Sequence, residues 1–349
     1  MAEALNAVEF LKSSEARLVI DVRSQGEHGQ GHIPGAVNIP LLDTESRAIV
    51  GTVYKQEGRE AAVLKGFELA GGDFHLKIRK VMSLDRGKEV CVYCWRGGMR
   101  SNIFAWLLSI AGYRVTLLKG GYKAYRNWAL STLQQDRDIL ILGGYTGSGK
   151  TDLLHELKRG GECIIDLEAL AHHRGSAFGA LGQLPQPTNE QFENTLAQAW
   201  SRAENKRVWL ENESRMIGVV KIPDHVFDQV RSAPVIAVNV SLEERVQRIL
   251  AEYGKFPREA LMEATLKIKK RLGDLRWRQA NQLLLEDNVE AWVGMMLDYY
   301  DRFYAYGTAQ RAETTVYNMD FTDESLSDRA LKLLELSRTL NYEPNRRNE

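Results

Sequence analysis

The stretch that decides the fold is Ile139-Leu140-Ile141-Leu142-Gly143-Gly144-Tyr145-Thr146-Gly147-Ser148-Gly149-Lys150-Thr151. Its first residues are apolar and predict a buried strand, and Asp152–Leu157 directly after it has the spacing of a helix. The part from Gly144 to Thr151 fits the pattern G-x-x-x-x-G-K-[ST], which forms a phosphate-binding loop when it joins a strand to a helix. Both flanks are as the motif requires, so the stretch predicts an α/β domain that binds a di- or triphosphate.

Each residue type in this loop has a physical role. Glycines let the backbone fold around an anion, and the backbone N–H groups then point at phosphate oxygens together with the helix N-terminus. The lysine adds a positive charge, and the hydroxyl of Thr151 is placed to ligate a magnesium ion. These residues do not specify which di- or triphosphate the loop binds. The predicted phosphate-binding residues are Gly144, Gly147, Ser148, Gly149, Lys150 and Thr151.

A carboxylate is expected at the end of a strand beside this loop, where it would hold the ion directly or through water. Glu211 and Glu213 follow one apolar run, and Asp166 ends another. His173 and Arg174 are further candidates for contacts near the loop. The alternative for each acid is a solvated loop residue, and for the histidine and arginine it is an ordinary surface loop.

The rest of the chain also alternates strands with helices, which indicates parallel sheets in an α/β layer fold. The polar stretch Ser131–Asp138 predicts a boundary between one domain at 1–133 and a second at 138–349, with a helical, acidic C-terminal extension from about Asp287 and a polar tail at 341–349. The predicted strands are Leu18–Val22, Ala36–Pro40, Glu89–Tyr93, Val115–Leu118, Ile139–Leu142, Glu162–Asp166, Val208–Glu211 and Val235–Val240.

Composition and cysteine usage narrow the class of protein. The chain has 349 residues, 46 basic and 46 acidic, so the overall charge gives no sign of a nucleic-acid partner. Residues 1–133 alone hold 18 basic and 13 acidic side chains, so the average conceals a basic half. An odd, low count of 3 cysteines argues against a disulfide framework. With no secretory signal or membrane-spanning stretch at the sequence level, we expect a cytoplasmic protein.

A second anion-binding loop is predicted at Cys94-Trp95-Arg96-Gly97-Gly98-Met99-Arg100-Ser101, between a strand and the helix expected at Ser101–Ile110. A cysteine there lies at the positive end of a helix dipole, which favours the reactive thiolate. The predicted catalytic residues are Cys94, Arg96 and Arg100, with Gly97, Gly98 and Ser101 in the anion cradle. A buried structural cysteine is the alternative, and it suits the strand residue Cys91 better. The C-x-x-C pair lacks the second pair that a zinc site needs.

These motifs resemble a known family. Asp21-Val22-Arg23-Ser24, Glu27 and Gly31-His32-Ile33-Pro34-Gly35-Ala36-Val37-Asn38-Ile39-Pro40 are similar to the signature of a rhodanese domain. A rhodanese-like domain that carries the loop C-W-R-G-G-M-R-S and precedes a P-loop NTPase-like domain resembles the tRNA 2-selenouridine synthase family. Further segments similar to that family are Gly51–Lys55, Gly120–Lys123, His173–Ser176 and Glu211–Arg215.

One departure from ordinary rhodaneses concerns the loop length. Five residues lie between Cys94 and Arg100, one more than is usual in sulfurtransferase rhodaneses, and this resembles rhodanese-fold phosphatases. A wider cradle suits a bulkier anion than thiosulfate, such as selenophosphate or a phosphate ester. Phosphatase chemistry therefore stays open, although Tyr93 stands where those phosphatases carry histidine.

The resemblance implies a function. Members of the family replace the sulfur of wobble 2-thiouridine in tRNA with selenium from selenophosphate, and they are linked to geranylation of that sulfur from geranyl diphosphate. Carried onto this chain, Cys94 would accept selenium as a selenopersulfide or position selenophosphate, and Arg96 and Arg100 would hold the anion. The loop around Lys150 would grip the diphosphate of the geranyl donor. No tightly bound cofactor is expected beyond a magnesium ion at Thr151.

A tRNA partner needs a basic face, and the helical stretch Leu242–Arg278 supplies one, with Trp277 among its bases. A merely solvated helix face is the alternative. The resemblance favours phosphate contacts, whose affinity falls with salt. The candidate tRNA contacts are Lys267, Lys269, Lys270, Arg271, Arg276 and Arg278.

Two other functions remain open at this point. The chain could be a rhodanese sulfurtransferase fused to an ATP-dependent P-loop kinase or NTPase. It could also be a rhodanese-like module that senses an anion and regulates a partner, although the intact Cys94 loop counts against that role. Calorimetry with ATP and with geranyl diphosphate separates the first alternative from a geranyl transferase.

Overall fold

Two parallel five-stranded sheets organise the chain, as the computed structural model shows for residues 2–85, 87–309 and 316–340. The chain divides into two compact units. The first runs up to Thr132 and includes Thr188–Gln198, and the second contains Leu133–Pro187 and the chain from Ala199 onward. No pattern in the sequence indicated that Thr188–Gln198 belongs to the first unit. The predicted α/β class with parallel sheets is confirmed.

The first unit holds a sheet in the order β1-β5-β4-β2-β3. Its middle strand β4 places Val90–Tyr93 in the interior, where Cys91 lies beside Val19 and Thr116. The strands are β1 Glu3–Leu5, β2 Leu18–Asp21, β3 Val37–Asn38, β4 Glu89–Tyr93 and β5 Arg114–Leu118. The helices are α1 Ala7–Ser14, α2 Gln25–Gln30, α3 Thr44–Glu57, α4 Arg59–Ala70, α5 Phe74–Leu84, α6 Met99–Ile110 and α7 Gly121–Thr132, with a 3₁₀ turn at Gly71–Asp73.

The second unit holds a sheet in the order β12-β11-β6-β8-β7, and β6 is its middle strand. The strands are β6 Asp138–Gly144, β7 Cys163–Ile164, β8 Arg207–Glu211, β9 Met216–Ile217, β10 Val220–Lys221, β11 Val235–Asn239 and β12 Val316–Asp320, with β9 and β10 in a separate antiparallel pair. The helices are α8 Lys150–Arg159, α9 Leu167–Ala171, α11 Asp224–Ser232, α12 Leu242–Tyr253, α13 Arg258–Lys267, α14 Lys269–Leu272, α15 Asp274–Leu285, α16 Val289–Ala309 and α17 Leu326–Thr339. Helix α10, Asn189–Arg202, belongs to the first unit up to Gln198 and to the second from Ala199.

The prediction of a purely helical region after Asp287 is wrong at one place. Val316–Asp320 forms the edge strand β12, which pairs in parallel with Val235–Asn239. The strand is short and has no alternation of apolar and charged residues, so its pairing depends on the neighbouring strand rather than on a local pattern. The predicted polar tail at 341–349 lies outside the described residues.

Packing in the second unit forms two apolar clusters. One fills the space between the sheet and α8 and α17, with Leu142, Trp209 and Val238 at its centre. The other joins α12, α13, α15 and α16 around Trp292. In the part of the chain that the structure covers, no helix combines the length and the apolar composition that crossing a bilayer requires.

Candidate functional site

The cysteine loop begins where the buried strand β4 ends and stops where α6 begins. Cys94 is 3% exposed, and the backbone N–H of Gly98 donates to its Sγ over 3.3 Å. The hydroxyl oxygen of Ser101 lies 3.2 Å from the same Sγ. The structure thus brings Cys94, Gly98 and Ser101 together at a helix N-terminus, where the helix dipole favours a bound anion.

A neighbouring turn holds the backbone of this loop. The N–H of Tyr122 donates to the carbonyl oxygen of Cys94 over 2.8 Å, and the N–H of Lys123 donates to that of Trp95 over 3.0 Å. Gly121 has a φ of +62°, and a Cβ atom there would lie 2.3 Å from the Cys94 oxygen. The segment Gly120–Lys123, which the sequence linked to the family only by resemblance, is therefore the support on which the cysteine loop rests.

The two arginines of the loop have different surroundings. The guanidinium of Arg100 forms two hydrogen bonds to the carboxylate of Glu27, at 2.7 and 3.2 Å. Burial opposes ionisation of Glu27, but the hydrogen bond and charge of Arg100 outweigh it and lower the pKa of that carboxyl. Arg96 is exposed and forms no ion pair with another described residue. Arg96 is therefore available to an incoming anion, whereas Arg100 is held by Glu27.

The Asp-Val-Arg part of the rhodanese-like signature forms a buried pair beneath the loop. Arg23 is fully buried and donates to Asp21 over 2.6 Å and to the carbonyl oxygen of Gly31 over 2.7 Å. Its guanidinium carbon lies 3.8 Å from the ring centre of Tyr122. Since both charges are enclosed and paired, these residues fix the loop's surroundings rather than contact a substrate.

The phosphate loop follows the middle strand of the other sheet and leads into α8. Gly147 and Gly149 have positive φ angles of +82° and +78°, as a loop that folds around an anion requires. Lys150 Nζ donates to the carbonyl oxygens of Gly144 and Tyr145 over 3.0 and 3.2 Å. The predicted strand, turn and helix are confirmed at this place.

Three carboxylates gather beside Thr151. Its hydroxyl donates to Glu211 Oε1 over 2.9 Å, and one oxygen from each of Glu168, Glu211 and Glu213 lies within 4.8 Å of the others. Burial and the repulsion from neighbouring carboxylates raise the pKa of Glu168 to about 10 and that of Glu213 to about 7. Such a group of oxygen ligands suits a hard divalent cation, whose charge would relieve the repulsion.

The other predicted neighbours of the phosphate loop have mainly structural contacts. Asp166 caps α9 by accepting from the N–H of Ala169 over 2.8 Å, and its second oxygen lies 3.2 Å from His155 Nε2. His173 is 8% exposed, and its Nδ1 has no hydrogen-bond partner among the described residues. Arg174 forms an ion pair with Glu252.

Two arginines of α12 pack against the phosphate loop. From the sequence they were expected only as part of the basic stretch Leu242–Arg278. Arg245 Nε donates to the carbonyl oxygen of Thr146 over 2.8 Å. The guanidinium of Arg248 covers Gly149, where a Cβ atom would lie 2.9 Å from Arg248 Cζ, and it pairs with Asp152. Arg248 thus adds a second cation to the place where Lys150 is found.

The phosphate loop opens into a cavity of about 740 Å³ that lies within the second unit. The loop and the three carboxylates form its polar side, and four aromatic rings form part of the remaining wall. Phe178 packs edge-on against Trp292, with ring centres 5.2 Å apart. The aromatic residues of this wall are Phe178, Tyr253, Trp292 and Tyr300. The cavity can therefore hold a phosphorylated molecule that also has an apolar or flat part.

The six candidate tRNA contacts lie on or between α13 and α15. Lys267, Lys270, Arg271 and Arg278 are exposed. Lys269 forms an ion pair with Asp274 at 3.3 Å and lies 4.1 Å from the ring centre of Trp277, and Arg276 pairs with Asp298 at 2.6 Å. The positive charges of Lys269 and Arg276 are therefore partly neutralised.

Sequence reasoning missed Glu168, Arg248 and the aromatic wall. Glu168 occurs within a short helix with no motif around it, and the aromatic residues come from separate elements. The one available signal was His173–Ser176, since a Cβ atom on Gly175 would lie 3.0 Å from Glu168 Oε1 and 2.9 Å from Glu213 Oε2. That glycine gives the two carboxylates room to meet.

Two models of known protein families match separate parts of the chain. A model of the rhodanese-like domain matches residues 5–127, and a model described as the tRNA 2-selenouridine synthase AAA domain matches residues 137–326. The tRNA 2-selenouridine synthase of Pseudomonas putida is 34% identical over 354 residues, covering 90% of this chain and 94% of its own length. That of Bdellovibrio bacteriovorus is 36% identical over 348 residues, covering 85% of this chain and 90% of its own length.

Among solved structures, a rhodanese-related protein from Thermoplasma volcanium is 22% identical, with a TM-score of 0.23, and covers 35% of this chain and 88% of its own. At this score the likeness carries no argument about function. The two family models and the full-length relatives do carry one, because they span both the cysteine loop and the phosphate loop. The chain therefore belongs to the tRNA 2-selenouridine synthase family.

Proposed function

We propose that this protein replaces the sulfur of a wobble 2-thiouridine in tRNA with selenium, and that the sulfur is first geranylated. Family membership supports tRNA as the substrate. The observation that carries the two-step route is that the chain holds two anion-binding loops with different chemistry. One presents a thiol, and the other shares a cavity with an aromatic wall.

Geranyl diphosphate is proposed to bind at the phosphate loop. Its diphosphate would accept from the loop amides, Lys150 and Arg248, and its hydrocarbon chain would lie against the aromatic wall around Trp292. The thiouridine sulfur then attacks C1 of the geranyl group, the C1–O bond breaks, and diphosphate leaves as N3 of the base loses its proton. The cationic side chains stabilise the charge that develops on the leaving diphosphate.

A magnesium ion fits this site, since Thr151 and the three carboxylates offer the oxygen ligands that it prefers. When bound, the ion would neutralise part of the diphosphate charge. Glu211 would hold it together with the Thr151 hydroxyl, and Glu168 and Glu213 would complete the group. Lys150 and the loop amides would bind the part of the diphosphate charge that the ion does not neutralise.

Selenium transfer is proposed at the cysteine loop. Selenophosphate would occupy the cradle of Gly97, Gly98 and the α6 N-terminus, with Arg96 as its exposed cation and Cys94 positioning it. Its selenium attacks C2 of the S-geranylated base, and the C2–S bond breaks. Geranylthiol leaves, N3 regains a proton, and water cleaves the Se–P bond to release phosphate. Geranylation helps because a thiolate leaves more readily than a sulfide dianion.

The experiment is mass spectrometry of tRNA nucleosides after incubation of the full chain with thiolated tRNA. Selenophosphate alone should give little selenouridine. Geranyl diphosphate alone should give the S-geranylated nucleoside, and both together should convert it to 2-selenouridine. Selenium incorporation at the full rate without geranyl diphosphate would remove the intermediate from the route. Tight calorimetric binding of ATP, with none of geranyl diphosphate, would favour the ATP-dependent alternative.

A further inference from the structure

A second cavity of about 740 Å³ lies in the first unit, between α3, α4 and the start of α6. Its surface is mainly apolar, with Leu41, Val50, Val63, Phe67 and Ile103 among the residues that form it. The volume falls in the range of about 300–1,000 Å³ that is typical of small-molecule sites. The function proposed above leaves this cavity without a role.

The helices that form this cavity have little core of their own. None of the 14 residues of α3 is buried, and α4 buries only Ala62 and Ala70. Phe67 is 48% exposed and Tyr54 is 59% exposed, although both are large and apolar in part. A helix pair that keeps such side chains open to a cavity, rather than packed, is typical of a binding site for an apolar group.

The cavity adjoins the cysteine loop directly. Met99 and Arg100 belong to that loop and also line the cavity. A smaller cavity of about 430 Å³ shares Arg47 and Ala48 with it. Trp95, which follows Cys94 in the chain and is 39% exposed, lines the smaller cavity. An aromatic ring so placed can stack on an unstacked base.

The charges around the larger cavity have one sign. Four cationic side chains line it, and no acidic side chain of the described residues does so, although Glu27 outside the cavity pairs with two of the four, Arg47 and Arg100. Lys55 and Arg59 are exposed and form no ion pair within residues 2–85, 87–309 and 316–340. An apolar interior with a cationic rim suits a hydrocarbon chain attached to a polyanion. The cationic residues are Arg47, Lys55, Arg59 and Arg100.

We propose that this cavity binds the geranyl chain of the S-geranylated tRNA base during selenium transfer, while the base itself lies against Trp95. This assignment rests on the two-step function proposed above. The free donor, geranyl diphosphate, has the same prenyl chemistry. The position beside Cys94 favours the tRNA-bound chain, because the C2–S bond breaks there and geranylthiol must leave from there.

The test uses the full chain, selenophosphate and two anticodon stem-loop RNAs that carry either S-geranyl- or S-methyl-2-thiouridine. Gly51 lines the cavity, and a Cβ atom there meets nothing within 4 Å, so a side chain can start at this position and Gly51→Leu should reduce the space in the cavity. We expect the ratio of kcat/KM for the geranyl RNA to that for the methyl RNA to fall by about 10- to 200-fold, the range for lost contacts in an apolar pocket. Phe67→Ala should lower the same ratio by removing part of the wall.

The matched control is Gly294→Leu, which makes the same change at a helix position where a Cβ atom also meets nothing; it should leave the ratio unchanged. An unchanged ratio in Gly51→Leu and Phe67→Ala would overturn the assignment. Loss of geranyl transfer from geranyl diphosphate in Gly51→Leu would also overturn it, since the cavity would then serve the donor. If the unaltered protein selenates neither RNA, the proposed function itself fails, which is a distinguishable result.

Discussion

The cysteine loop and the phosphate loop share a backbone plan but differ in what holds them. Each leaves the middle strand of a parallel five-stranded sheet and enters the N-terminus of a helix. Backbone groups of Gly120–Lys123 support the cysteine loop, whereas side chains of α12 support the phosphate loop. The main chain of a neighbouring turn therefore supports the first loop, and long side chains of a neighbouring helix support the second.

The acids beside the two loops also differ. At the cysteine loop, Arg100 already neutralises Glu27. At the phosphate loop, Glu168, Glu211 and Glu213 are crowded together, and their pKa values are raised by burial and by repulsion from neighbouring carboxylates, which for Glu211 comes from Asp166. The first arrangement leaves a cradle for a single anion next to a thiol. The second offers oxygen ligands that suit a divalent cation.

The largest effects should come from one substitution in each loop, with each variant tested for both reactions. Cys94→Ala should reduce selenium transfer to the uncatalysed level and leave geranyl transfer intact, because the thiol lies in the other unit from the phosphate loop. Lys150→Ala should weaken geranyl diphosphate binding by about 10- to 100-fold, since a charged hydrogen bond contributes about 1.5–3 kcal/mol. Nucleoside mass spectrometry and calorimetry measure the two losses.

RNA that is already geranylated provides the control for these two variants. Lys150→Ala should still selenate it at the normal rate, and Cys94→Ala should not. Both variants failing on it would mean that the two loops act as one site, and the comparison would break. Normal selenation by Cys94→Ala would show that the thiol has no part in the reaction.

Backbone support predicts a large stability effect at Gly121. An alanine there has a positive φ and a Cβ atom 2.3 Å from the Cys94 oxygen. Strain of about 1–2 kcal/mol for the conformation and about 1–3 kcal/mol for the overlap should lower the free energy of unfolding. Gly149→Ala carries the same conformational strain, but its Cβ atom meets only the flexible end of Arg248. Urea denaturation should therefore show the larger loss for Gly121→Ala, and equal losses would contradict the contrast in support.

The crowded carboxylates predict a dependence on magnesium. Glu211→Gln keeps an oxygen for the Thr151 hydroxyl but removes one negative charge. We expect magnesium to increase geranyl diphosphate affinity in the unaltered protein and to do so about tenfold less in the variant, a difference of about 1.4 kcal/mol. Asp166→Asn is the matched control, because asparagine retains the cap of α9. If Asp166→Asn loses the magnesium effect and Glu211→Gln keeps it, Asp166 is the partner of the ion.

The two loops could be predicted from the sequence, whereas the groups that support them could not. Both loops, their flanking strands and Glu211 were predictable because each is a short contiguous motif in which every residue type has a physical reason. The support of the loops was not predictable, since Gly121 and Arg248 act from distant parts of the chain. Strand β12 and the aromatic wall could not be predicted for the same reason, because their pairing and packing partners are separated in sequence by many residues.

The smallest expected effect concerns the RNA that both loops must serve. Arg278 is exposed on α15, whereas Lys269 is paired with Asp274. If Arg278 contacts a phosphate, Arg278→Ala should reduce the slope of log affinity against log salt by about 1, and Lys269→Ala should change it less. Lys158→Ala, an exposed cation on α8, is the control. If one bound RNA supplies both proposed reactions, geranyl transfer and selenium transfer should fall by the same factor at subsaturating RNA. A fall in only one of them would show that the two loops bind the RNA through separate surfaces.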